Sequence, residues 1–148
     1  MDSDTVTRVR QIIAKHTVRY EVWPHYEIAM GKRVVVGFDL ELYGTHDHGK
    51  TRLIPGCPLC QETYADLRLL AESVLPKEDR PSKYDIPPFD SSLRESASGV
   101  FEVLVAIRIE HRHGFFDPVD ACEERCLKEM CEKLTELGVS TGHRTTGH

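Results

Sequence analysis

The spacing of apolar residues changes rhythm several times along the chain. Over residues 4–16, Val6, Val9, Ile12 and Ile13 recur at helical intervals, while Arg8, Arg10 and Lys15 fall off the stripe. That spacing predicts an amphipathic helix with Asp2 and Asp4 at its start, where the helix dipole favours negative charge. The period then drops to two. Val18, Tyr20, Val22, Pro24, Tyr26, Ile28 and Met30 alternate with Arg19, Glu21, Trp23, His25 and Glu27. This predicts a strand half-buried on one face. Pro24 has no N–H for a ladder, so the strand is expected at an edge or with a bulge. Gly31-Lys32 reads as a turn, and a second strand follows through Val34, Val36, Phe38, Leu40 and Leu42. Together they form a predicted β-hairpin.

Pro58 suits the first position of a second helix with Cys57 as its N-cap; Leu59, Leu67, Leu70 and Val74 give it an apolar face, and Pro76 ends it. Residues 76–98 carry four prolines and many charges, and read as a long covering loop with a short helical turn at 91–95. A third strand begins at Gly99, with Phe101, Val103, Val105, Ile107 and Ile109 on one face. Asp117-Pro118 supplies an N-cap and first position for a last helix ending at Leu137, with Gly138 after it. Glu124 with Lys128 and Glu129 with Lys133 are favourable i,i+4 pairs on that helix.

The order α-β-β-α-β-α predicts an α+β fold: a three-stranded mixed or antiparallel sheet covered by helices. Residues 1–138 form one expected domain, and the apolar-poor tail 139–148 is expected to be disordered. At 148 residues and 40% hydrophobic content, a real core is affordable. The formal charge of −5 argues against a nucleic-acid backbone as partner, since phosphate neutralisation needs a basic face. No apolar run approaches a membrane span and no signal-peptide pattern opens the chain, so a cytoplasmic location is expected. Five cysteines, an odd number, point to reduced thiols or metal ligands rather than a disulfide framework. Sheet edges left by so few strands make a homodimer a further expectation.

The chemistry concentrates in T-H-D-H-G-K-T-R-L-I-P-G-C-P-L-C, residues 45–60. His46, His48, Cys57 and Cys60 make a Cys2His2 set within fifteen positions, a donor combination suited to tetrahedral zinc. The order differs from a zinc finger, in which the cysteines come first. E-H-R-H-G, residues 110–114, repeats the H-x-H unit after the third strand. If the second and third strands run in the same sense, His111 and His113 reach the same end of the sheet as His46 and His48. The expected function is therefore a zinc-binding domain whose metal is structural and ties the 46–60 loop to the sheet, with His111 and His113 as substitute ligands. Two alternatives stand beside it. An open coordination position would make a zinc-dependent hydrolase. The C-x-x-C unit at a helix start could instead serve thiol–disulfide exchange. Cys122 and Cys126 fall on the apolar stripe of the last helix with Leu127, Met130 and Leu134, which reads as core packing.

Overall fold

A computed structural model of the chain describes residues 2–45, 58–75, 83–85, 93–95, 101–110 and 121–141. The elements are α1 (Ser3–His16), β1 (Arg19–Ala29), β2 (Lys32–Gly44), α2 (Pro58–Val74), β3 (Lys83–Asp85), β4 (Leu93–Glu95), β5 (Phe101–Glu110), α3 (Ala121–Leu137) and β6 (Ser140–Thr141). The α+β class and the positions of the long elements agree with the pattern in the sequence.

The sheet is mixed and larger than expected. Its order is β3-β5-β2-β1-β6, with β4 pairing along β5 as well. The additional strands are short and come from segments without alternation. β3 and β4 borrow the outer edge of β5, so 93–95 is a strand and not a helical turn. The start of the supposed tail is also ordered: Val139 is buried, and β6 pairs parallel with Arg19 and Tyr20. Such two- and three-residue strands need a partner edge to exist, which no local sequence signal reports.

β2 and β5 run antiparallel, with Gly44 opposite Val103 and Gly37 opposite Glu110. This overturns the premise that the two strands share a direction. Between α2 and β5, β3 pairs with the Glu110 end of β5 and β4 with its Phe101 end.

The α1 N-cap is Asp2, whose Oδ1 accepts the Thr5 N–H at 2.8 Å. That hydrogen bond is the first cause holding the Asp2 carboxyl below the ordinary carboxylate range. Thr17, at φ 50°, closes the helix in the left-handed conformation, and its N–H reaches the Ile13 carbonyl. One face of the sheet and all three helices enclose the core, in which Val9, Leu40, Leu42, Leu67, Leu70, Ile107, Met130 and Leu134 are fully buried. Cys126 is buried as the α3 stripe predicts. Cys131 is half-buried; burial pushes its thiol pKa up, and a hydrogen bond with Tyr20 offsets part of this.

The β-hairpin is irregular at one point. His25 lies opposite Gly37, yet Tyr26 lies opposite Val35, so β2 carries an extra residue at Val36. Past this bulge the phase of β2 is reversed, and Val35 rather than Val34 shares the face of Tyr26. The expected turn also moves by one residue, to Met30-Gly31, with positive φ at both (53° and 77°). This is the type I′ geometry that two-residue hairpins favour.

Candidate functional site

The opening motif leaves the sheet from the end of β2, and this end is tightly built. Gly44 is buried with no room for a side chain: an added Cβ would lie 3.2 Å from Leu67 Cδ1, 3.2 Å from Thr63 Cγ2 and 3.3 Å from His16 Cβ. Glycine is therefore what lets β2 close against α2 and the last residue of α1. The next residue, Thr45, donates its N–H (2.9 Å) and its hydroxyl (3.2 Å) to the His16 carbonyl.

His16 is the polar centre of this junction and is only 2% exposed. Its Nε2 lies 2.8 Å from Asp66 Oδ2 on α2, and its Nδ1 lies 3.3 Å from the Thr45 carbonyl. The Thr63 hydroxyl is 3.5 Å from Nδ1 and donates to the Leu59 carbonyl at 2.8 Å. Because Asp66 accepts, it fixes a proton on Nε2 of the ring. His16 thus joins α1, α2 and the end of β2, with its ring on Asp66 and its carbonyl accepting from Thr45. Lys15 pairs with Glu62 on the solvent side of the same junction. His16 was legible as a buried residue, since it follows Val9 and Ile12 at i+7 and i+4. Its partner Asp66 was not, because 50 residues separate them.

Of the six candidate ligands, Cys60 lies within the described residues, in the first turn of α2, where it is fully buried and one turn before Thr63. His46, His48, Cys57, His111 and His113 lie outside them. The strands nevertheless fix where each H-x-H unit departs. Thr45 stands at the His16 end, whereas β5 ends at Glu110 opposite Gly37, seven residues along β2 from Gly44. At the rise of a strand that is about 23 Å. The two H-x-H units therefore follow from opposite ends of the sheet, and the antiparallel register removes the reason to expect them together. Among the described residues, no three metal-ligating side chains come together. Cys122 is placed in the first turn of α3 by its backbone.

The second polar cluster lies on the sheet face opposite the helices. Arg19 bonds Glu21 and, through Nη2 at 2.8 Å, Glu102, and its guanidinium lies 4.2 Å from the centre of the Tyr43 ring. Tyr43 donates its hydroxyl to Glu41 at 2.6 Å. Glu21 and Glu41 are direct cross-strand partners, a repulsive arrangement for like charges. Arg19 on one carboxylate and Tyr43 on the other offset it. Burial works to lower the Arg19 pKa, but its hydrogen bonds with Glu21 and then Glu102 outweigh this and hold it above the usual value. Arg108 and Asp39, also direct partners, pair at 3.0 Å. Arg19, Tyr43 and Arg108 thus bring hydrogen-bonding or charge partners to Glu21, Glu102, Glu41 and Asp39 on this face. Glu41 and Asp39 lie on the face of β2 away from the core residues Leu40 and Leu42.

An open cavity of about 580 Å³ lies where the three helices meet, with Asp2, Arg10, Glu72, Lys133 and Glu136 in its lining. Among the described residues its lining includes no histidine or cysteine and none of the 45–60 motif.

No protein-family model, curated protein or solved structure matches this chain. Among the described residues, no helix is long and apolar enough to cross a membrane.

Proposed function

We propose that the chain is a zinc-binding domain in which His46, His48, Cys57 and Cys60 hold a structural metal. The observation that carries this reading is the closeness of the segment's two roots. Gly44 lies within 3.2 Å of Thr63, if a Cβ is placed on it, and Thr63 is one helical turn from Cys60. A segment that leaves and re-enters the fold at one place can gather ligands from its two ends without spanning the sheet. The donor set suits zinc, with thiolates near 2.3 Å and imidazoles near 2.0 Å from the ion. A buried Cys60 agrees with a closed site, since thiolate ligands of structural zinc are withdrawn from solvent. The departure of β5 from the opposite end argues for these four residues over His111 and His113.

Metal binding of this kind contributes directly to folding, because the site does not exist in the unfolded chain. Metal analysis of protein purified without added zinc tests the reading. One equivalent per chain is expected, lost in the double variant Cys57→Ser, Cys60→Ser. A metal-free, well-folded wild type refutes it, and thiol titration then asks whether Cys57 and Cys60 cycle as a dithiol. Cobalt substitution separates structural from hydrolytic zinc: four protein ligands give a spectrum indifferent to added anions, whereas an open position responds to them.

A further inference from the structure

The hairpin of β1 and β2 extends past the part of the sheet that the helices cover. Val18 and Tyr20 are buried and Val22 is half-buried, but on the same face Ile28 is 63% exposed and the turn residue Met30 fully so. Beyond the two residues that pair with β6, no strand among the described residues adds to the outer edge of β1. Pro24 fits the β1–β2 ladder only with its nitrogen turned to that outer edge, because it has no N–H to give β2. The even-numbered residues Val22, Pro24, Tyr26 and Ile28 therefore direct their main-chain groups outward.

We propose that this edge is a self-association surface, on which a second copy of the chain pairs antiparallel about a two-fold axis at Tyr26. Two neighbouring registers are disfavoured. An axis at Val22 would collide with β6. An axis at Pro24 would place Glu21 opposite Glu27 and lose both central hydrogen bonds. With the axis at Tyr26, the two Tyr26 residues exchange a pair of N–H···O=C bonds. Pro24 of one copy then faces Ile28 of the other on the apolar face, and His25 faces Glu27 on the polar face. That last pairing is complementary in charge. Within one chain the same two side chains already approach to 3.6 Å, so both lie on the face where they would meet a second copy. The arrangement is isologous, and so it closes at a dimer. Pro24 removes one donor on each side, which makes the pairing weak and reversible, in the micromolar-to-submillimolar range on the order of 10–100 μM.

Sedimentation velocity on the full chain from about 1 μM to about 500 μM tests this. The expected result is a monomer–dimer equilibrium that Ile28→Lys weakens at least about tenfold. Glu27→Lys should weaken it too, and the double variant His25→Glu, Glu27→Lys should recover it. Exchange of the Tyr26 amide should slow with concentration. A chain monomeric throughout that range would overturn the proposal. So would a dimer indifferent to Ile28→Lys, or Tyr26 exchange that ignores concentration.

Discussion

Two glycines mark opposite ends of the β1–β2 hairpin, and each is there for a different reason. Gly31 adopts φ 77°, with nothing within 4 Å of where a Cβ would stand. Its requirement is conformational, set by the turn. Gly44 needs no special backbone angle but meets three side chains at 3.2–3.3 Å. Its requirement is space, set by α1 and α2. One end of the sheet is thus held by tertiary packing around His16, and the other by local turn geometry beyond the reach of the helices. The contrast separates what should be sensitive to substitution from what should tolerate it.

The largest effect is expected at His16. His16→Ala removes a buried hydrogen bond to a carboxylate and leaves a void between α1, α2 and β2. The cost should be about 3 kcal/mol in urea unfolding. A loss below about 0.5 kcal/mol would show that the junction is not held through this ring. Next in size is Gly44→Ala, expected to cost about 1–2 kcal/mol because Leu67, Thr63 and His16 must each give way. The hairpin turn should respond in the opposite direction. Met30 occupies a left-handed conformation that asparagine adopts with less strain, so Met30→Asn should stabilise the fold by about 0.5–1 kcal/mol. Thermal or urea midpoints would check it, and equal destabilisation at Met30 and Gly44 would erase the distinction between the two ends.

The same division explains how much the sequence disclosed. Elements whose signal is local were readable: the α1 stripe, the β1 alternation, the strong period of β5 and the Leu137-Gly138 helix stop. Pro24 announced an edge strand or a bulge; among the described residues β1 pairs at its outer edge with β6 alone, and β2 carries a bulge beside His25 and Tyr26. What could not be read depends on partners distant in the chain. β3 and β4 exist because β5 offers an edge, and the bulge at Val36 reverses a phase that alternation alone would carry through. The sense of β5 relative to β2 was hidden in the proline-rich segment between them. That one choice decided how the candidate site is read. With parallel strands, two H-x-H units would converge; with the antiparallel register, His46 and His48 follow the His16 junction and His111 and His113 follow the opposite end. The Arg19–Glu21–Glu102 network was concealed for a similar reason, since alternation marks those residues as polar without saying that Glu21 and Glu102 are buried around a half-buried Arg19.

The central claim is that zinc is held at the junction where β2 meets α2, and comparing the two histidine pairs tests it most directly. Zinc should be measured per chain in the wild type, in His46→Ala, His48→Ala and in His111→Ala, His113→Ala, each purified without added metal. The account predicts about one equivalent in the wild type and in the second double variant, and loss of metal from the first. A folded wild type without zinc, or loss of zinc on removing His111 and His113 while His46 and His48 prove dispensable, would contradict it.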